Sequence, residues 1–444
     1  VLLSLSLALA ADPIVEDLLA RGEAQTEAYE ELVELCDDVG PRLSGSKNLD
    51  RAVRWARRRM EQDGLKVQLQ PVDVPHWVRG AESASLLAPV SEPLTVLGLG
   101  LTVATPEGGI EAPVVVARSW EELEALGSRV KGKIVMLDPP WEGYGETVEY
   151  RVNGPDRAAK LGAVAVLLRS VTNYSLNTPH TGMLSYEGET RIPAAAITHE
   201  SADRIRRWSE RGRMVRVKLL LSGKQLDDAP SANVIGDVLG SEQPDEVVVL
   251  ACHLDSWDVG TGAQDDGAAC VAVMEAVALI ASLDTAPKRT VRAVLYTNEE
   301  NGLAGGKAYV EANKDLHHVV MIESDTGMGG TLGFRVDAGL SEKDENLAAA
   351  EAYIPALREL LQPLGVLGVS DFEAGYAGAD VGPTLRANQG LGLGVKHDMS
   401  DYWKIHHTQA DTVDKVDPAQ LQKEVAALAA TAWILANTDT LPEG

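Results

Sequence analysis

The chain has 444 residues, too long for one simple core, so two domains are expected. Hydrophobic residues make up 45% and charged residues 24%, proportions of a folded globular protein that exclude a disordered chain. The formal net charge of −26 argues against nucleic acid as a partner, because phosphate neutralisation needs clustered Lys and Arg.

In chain order, Val1 to Ala10 is a short apolar run ending in Ala-Leu-Ala before Ala11-Asp12-Pro13. It has the pattern of an export signal's apolar region and small-residue cleavage site, and it is too short to span a bilayer. Residues 1–10 are therefore read as a signal-peptide remnant and the protein as exported, secreted or periplasmic. No other segment has the length and apolarity of a membrane span. Ile14 to Val39 reads as a helix stopped by Gly40-Pro41. Ser44-Gly45-Ser46 caps a second helix, Asn48 to Asp63, with Ala52, Val53, Ala56 and Met60 on one face and a solvated basic face opposite. A strand follows over Val67 to Val74.

Near Pro113 the texture changes to short buried-strand runs: Val114–Ala117, Lys133–Met136, Ala163–Leu168 and Ala194–Ile197. Helices at Trp120–Leu126, Asp156–Leu161 and Glu200–Arg211 separate them. This second unit carries no row of ligand-type residues, and His180, in the polar loop Thr172 to Glu189, reads as loop surface. After Leu221, Ala232–Gly236 and Val247–Ala251 read as a strand pair joined through Gly240-Ser241. Strands at Val291–Thr297, His318–Glu323 and Leu391–Val395 then alternate with helices at Gly267–Leu283, Gly302–Asn313, Glu345–Leu361 and Pro418–Asn437. Such alternation predicts an α/β fold, a mainly parallel mixed sheet with helices on both faces, whose active site lies beyond the carboxyl ends of the strands.

Ligand-type residues fall at those ends. His253-Leu-Asp255, Gln264-Asp265-Asp266-Gly, Glu299-Glu300, Ser324-Asp325 and His406-His407 come from five separate segments in the order His, Asp, Glu-Glu, Asp, His. Zinc takes imidazole nitrogen and carboxylate oxygen, and a two-zinc site needs one bridging carboxylate with two further ligands per metal. Asp265 or Asp266 supplies the bridge, His253 and Asp325 complete one metal, and Glu300 and His407 the other. One glutamate of the adjacent pair remains for proton transfer. Adjacent glutamates are usually solvated surface, but at the end of a buried strand unpaired carboxylates are costly. The three cysteines, Cys36, Cys252 and Cys270, are too few and scattered for a disulfide framework, and Cys252 and Cys270 read as small buried hydrophobes.

The chain resembles the family of co-catalytic zinc aminopeptidases and glutamate carboxypeptidases. Val74-Pro-His-Trp-Val-Arg-Gly80, His253-Leu-Asp-Ser-Trp-Asp-Val-Gly260, Pro287-Lys-Arg-Thr290 and His406-His407 carry the resemblance. It implies a peptidase domain over 11–111 and 224–444, interrupted by a protease-associated domain over 112–223. It further implies two Zn2+ per chain, held by His253, Asp265, Glu300, Asp325 and His407, with Asp265 as the bridge. Glu299 is then the general base and Asp255 the carboxylate that orients His253. His407 is preferred to His406 because Asp411, four positions on, matches the family's closing pattern.

The implied reaction is hydrolysis of short peptides, most readily unblocked dipeptides, with an aminopeptidase on longer peptides or a glutamate carboxypeptidase as alternatives. The intact ligand set weighs against receptor-like relatives that have lost ligands. The inserted unit weighs against glutaminyl cyclases, which use one zinc, so counting metals separates the two classes. A homodimer follows from the resemblance alone. Lys396, Lys404 and Arg386 are the cations considered for a substrate carboxylate.

Overall fold

The structure is a computed structural model that describes residues 12–24 and 27–440; the apolar run read as an export-signal remnant lies outside the described residues. The first expected helix is divided into Pro13–Ala24, Ala28–Val33 and a wider turn over Glu34–Val39, ended by Gly40 at φ 81°. The second spans Lys47–Gln62, and the Ser46 hydroxyl accepts the Leu49 N–H at 3.1 Å as its cap.

Among the described residues, eight strands form the larger sheet. Their spatial order is Lys66–Val78, Lys224–Val238, Arg289–Tyr296, Gln243–His253, His317–Glu323, Leu391–His397, Thr331–Asp337, Asp371–Ala374. The central strand Gln243–His253 is parallel to both neighbours, while the strand before it in sequence, Lys224–Val238, runs antiparallel to Arg289–Tyr296. The expected pairing of Ala232–Gly236 with Val247–Ala251 is thus incorrect: Arg289–Tyr296 lies between them, returned there by the crossover helix Ala268–Ala281.

Strand alternation places the two halves of the core. Val248, Leu250 and Cys252 face the cluster containing helices Ala268–Ala281 and Pro418–Asn437, while Val247, Val249 and Ala251 face Tyr309, Met321 and Leu385. Each such aliphatic burial is worth about 1.5–3 kcal/mol. Helix Pro13–Ala24 also joins the first cluster, and at Gly22 an added Cβ would stand 2.5 Å from the Ala426 Cα, so a larger residue would force the helices apart.

The second sheet also has eight strands among the described residues, in the order Glu92–Leu94, Glu82–Ala88, Arg216–Leu221, Ile110–Ala117, Ile134–Leu137, Ala165–Arg169, Ala194–Ile197, Val96–Gly98. The four strands from Ile110–Ala117 to Ala194–Ile197 are mutually parallel. Three strands between Glu82 and Gly98 join this sheet, so it begins well before residue 112. Two of them are only three residues long, too short for alternation to reveal them. The helix Tyr144–Val152 is a further element that the periodicity does not show. No helix of the described residues is long and apolar enough to cross a membrane.

Candidate active site

The sheet delivers the expected ligands at strand ends. His253 is the last residue of its strand, Glu299 and Glu300 follow Arg289–Tyr296, and Asp325 follows His317–Glu323. Asp265 lies in the turn Ala263–Gly267 before the crossover helix, and His407 in the loop after Tyr402–Ile405. These segments converge. His253 Nε2 is 3.3 Å from Asp265 Oδ1 and 3.2 Å from Asp325 Oδ1. His407 Nε2 is 3.2 Å from Asp265 Oδ2 and 3.2 Å from Glu300 Oε2. Asp265 thus turns one oxygen to each imidazole.

Several buried polar groups set this arrangement. Arg42, fully buried, donates to the carbonyls of Leu254, Thr261 and Gly262 at 2.7, 2.6 and 2.9 Å, fixing the loop beyond His253. The Asp411 carboxylate accepts the N–H groups of Ala263, Gln264 and Asp265 at 3.0, 2.7 and 3.2 Å and so fixes the turn that presents Asp265. Glu424 accepts the hydroxyl protons of Ser324 and Thr331 and bonds His397, bracing the segment that carries Asp325. Asn298 at φ 68° and His407 at φ 60° adopt the left-handed backbone that non-glycine residues rarely take. At Asn298 the side chain compensates by bonding Ser44 Oγ and accepting the Ala304 N–H.

Asp255 departs from its expected role. His253 Nδ1 donates to the main-chain carbonyl of Asp255 at 3.1 Å, while the nearer carboxylate oxygen is 3.9 Å away. The carboxylate instead accepts the Glu299 N–H at 3.0 Å and the Glu300 N–H at 3.3 Å, with the Ser44 hydroxyl as a third donor. Fully buried, it clamps the Glu-Glu turn. The Trp257 N–H then donates to Glu300 Oε1 at 3.1 Å.

The donors suit two cations. Both imidazoles give their Nδ1 proton to a main-chain carbonyl, His253 to Asp255 and His407 to Thr181 at 3.2 Å. In the neutral ring that leaves a lone pair on each Nε2, facing two carboxylate oxygens with no proton between them. Such contacts repel unless a positive charge lies between. Ligand atoms around one tetrahedral zinc, at bond lengths of about 2.0–2.1 Å, are separated by about 3.3–3.4 Å, close to the separations found here. His253, Asp265 and Asp325 bring three donor atoms together, and Asp265, His406 and His407 do so on the other side, where Glu300 Oε2 also lies 3.2 Å from His407 Nε2.

The field points the same way. Burial alone would lower the pKa of His253, but Asp325 and Asp265 raise it well above the ordinary value; Glu300 and Asp265 do the same to His407. Burial, reinforced by Asp265 and opposed by His407, pushes Glu300 up to about 7. Glu299 is raised well above the carboxylate range by burial, against the pull of His253 and with Asp325 and Glu300 adding to it. Its side chain makes no hydrogen bond among the described residues, leaving it available beside the two groups.

His406 stacks on His407 with centroids 3.5 Å apart but reaches Asp265 Oδ2 only at 3.8 Å, and burial lowers its pKa well below the usual value. His180, expected on the loop surface, is buried, and its Nδ1 donates to the His406 carbonyl at 2.7 Å. Its sequence neighbourhood is polar and aperiodic, so nothing local marks it. Arg42 and Thr181 likewise contribute without a motif, while Ser44 is read only as part of a helix cap and Trp257 only within the stretch His253–Gly260. The cations considered for a substrate carboxylate are already committed: Lys396 to Asp371 and Glu373, Lys404 to Asp401, and Arg386 to Asp337. All three cysteines are free and buried, and Cys270 Sγ donates to the His253 carbonyl.

The model of peptidase family M28 matches residues 233–432, which include the five expected metal ligands and Glu299. Carboxypeptidase Q of Mus musculus is 40% identical over 430 residues, covering 96% of this chain and 89% of the relative. The chain belongs to peptidase family M28. The human carboxypeptidase Q is 39% identical over a similar span. A peptidase M28 precursor from Shewanella amazonensis SB2B superposes with a TM-score of 0.90 at 35% identity, covering 97% of this chain and 98% of that one. A zinc aminopeptidase from Bacillus subtilis shares the fold, with a TM-score of 0.68 at 19% identity over 93% of this chain and 95% of that one. Membership makes this chain an enzyme of the peptidase class, with relatives named as exopeptidases.

Proposed function

We propose that the chain is a two-zinc exopeptidase that hydrolyses short peptides, unblocked dipeptides above all. The observation that carries the reading is Asp265, whose two oxygens face His253 and His407 separately, while Glu299 shares the field of His253, Asp325 and Glu300 and its side chain makes no hydrogen bond among the described residues. Zinc, when bound, supplies a Lewis acid that acidifies water and takes up charge on the carbonyl oxygen. His253, Asp325 and Asp265 would hold one ion; Glu300, His407 and Asp265 the other.

The chain's own residues do the rest. The Asp255 clamp fixes the main chain of Glu299. Glu299 accepts the proton of the attacking water, and the same carboxyl then gives it to the nitrogen of the departing amine. Its pKa, raised by burial, would be lowered by nearby divalent ions, which favour the charged carboxylate.

The carboxylates around the cleft favour a substrate that brings an ammonium group, because opposite charges attract strongly where water is scarce. The name of the matched relatives supports carboxypeptidase action, and a glutamate carboxypeptidase remains the second reading. The second-sheet unit is read as a protease-associated domain, and the enzyme as exported and dimeric; light scattering and amino-terminal sequencing of the natural protein test those two points. The functional test is a dipeptide panel. Free dipeptides should be cleaved at least ~10-fold faster than their N-acetylated forms, about 1.4 kcal/mol of transition-state binding. Equal rates would refute amine recognition, and a strict preference for N-acetylated acidic dipeptides would favour the second reading.

A further inference from the structure

The two metal-facing imidazoles are oriented by different parts of the chain. His253 Nδ1 donates to Asp255, two residues on in the same loop. His407 Nδ1 donates to Thr181, which follows strand Ala165–Arg169 in the second-sheet unit. That carbonyl fixes which ring nitrogen carries the proton and hence that Nε2 faces Asp265 and Glu300.

The contact is part of a built seam. The Thr181 N–H donates to the His407 carbonyl at 3.0 Å, so the two residues bond each other twice. One residue earlier on each side of the seam, His180 Nδ1 donates to the His406 carbonyl at 2.7 Å. Farther along, the Thr172 hydroxyl donates to the Trp403 carbonyl. The segment from Trp403 to His407 is therefore held along its length by the loop from Thr172 to Thr181, and it includes the left-handed backbone of His407 at φ 60°.

The loop is braced from its own unit. Arg151, on the helix Tyr144–Val152, donates through Nη1 to the Thr181 carbonyl at 3.4 Å and through Nε to the Met183 carbonyl at 3.2 Å. Its guanidinium packs so closely over Gly182 that a Cβ there would stand 2.2 Å from it. Thr181 Oγ1 donates to the Gly98 carbonyl at 2.8 Å, and Ser170 Oγ accepts the His180 N–H at 2.9 Å. The residue that takes the His407 proton is thus fixed at its N–H, carbonyl and hydroxyl.

We propose that the second-sheet unit positions one metal ligand: through Thr181, backed by His180 and Arg151, it sets the affinity of the His407–Glu300 metal position and leaves the His253–Asp325 position to the larger sheet. The proposal rests on the two-zinc reading above. Groups that orient a metal histidine typically change affinity by about 10–100-fold when removed. A seam that only joined the two units would weaken the fold without distinguishing the two positions.

The test is stepwise zinc binding to the full chain, stripped of metal and titrated against a chromophoric chelator, with thermal unfolding recorded in saturating zinc. His180→Ala should weaken one of two zinc steps about 10–100-fold and leave the other unchanged. His180→Asn, whose side-chain amide can still donate to the His406 carbonyl, should restore most of the loss. Arg151→Met, as an independent variant, should weaken the same step, and neither substitution should add to the loss in a Glu300→Gln background. Two zincs in the unsubstituted chain with both steps unchanged, or both weakened alike, in His180→Ala and Arg151→Met would overturn the proposal alone. Fewer than two zincs in the unsubstituted chain would overturn the two-zinc reading itself, and the proposal with it.

Discussion

Replacing Asp255 by Asn separates two roles for this carboxylate that the sequence does not distinguish. If the side chain oriented His253, the metal position of His253 and Asp325 would suffer. The structure instead gives His253 the main-chain carbonyl, which Asn retains, and gives the carboxylate to the N–H groups of Glu299 and Glu300 at 3.0 and 3.3 Å. An amide offers one acceptor where two donors converge. With its oxygen kept toward Glu299, its NH2 meets the Glu300 N–H, and a buried donor loses its partner. That loss is worth about 1–3 kcal/mol, or about 5–150-fold in an equilibrium, and it falls on the turn that carries the proposed ligand Glu300. Asp255→Asn should therefore weaken one zinc step by that factor. A cycle with Glu300→Gln, read by chelator competition, assigns the step: the two substitutions should be markedly less than additive. Full additivity, or unchanged zinc binding in Asp255→Asn, would refute the clamp.

Two more predictions concern packing and pH. At Gly100 an added Cβ would stand 1.9 Å from the Trp257 ring, which is buried against Leu43 and Trp77, and the main-chain N–H of the same residue holds Glu300. Gly100→Ala should cost about 1–3 kcal/mol by overpacking and reduce zinc retention; a urea midpoint and metal content both at the level of the unsubstituted chain would show that Trp257 moves freely. Glu31 is buried with Oε2 unpartnered among the described residues, and burial, then Glu275, pushes its pKa from 4.5 to about 8 against the pull of Arg59. The folded chain then holds a proton that the unfolded chain has released, so stability falls as pH rises from about 4.5 to 8, by up to about 1.4 kcal/mol per pH unit for one proton. Glu31→Gln should flatten that fall and raise the melting temperature at pH 8 but not below pH 4.5; parallel profiles would contradict it.

The legible part of the molecule is the part where burial and chemistry coincide. Val247–Ala251 is a continuous apolar run, and Val291–Leu295 one broken only by the Asp237-paired Arg292, because both faces of those strands are covered, and a buried strand that ends in His or Glu-Glu has few explanations apart from a ligand. Strand order was not legible, since nothing in Arg289–Tyr296 says that it inserts between two strands adjacent in sequence. Thr331–Asp337 was missed because Gly333 and Arg335 interrupt its apolar pattern on a strand near the sheet edge. The groups that orient the ligands were hidden for a different reason. Thr181 acts through its main chain, and Arg42 and His180 come from segments far away in sequence, so no spacing could announce them. Asp255 is marked by its motif, but His-x-Asp does not reveal which of its oxygens meets the ring.

The central claim is that Glu300 holds metal while its neighbour Glu299 moves the proton. Zinc content and turnover, measured together on Glu299→Gln and Glu300→Gln after dialysis against metal-free buffer, test it most directly. Glu299→Gln should retain two zincs per chain and lose turnover by at least ~10²-fold, while Glu300→Gln should lose zinc. Equal zinc loss in both variants, with activity following metal content alone, would contradict the account.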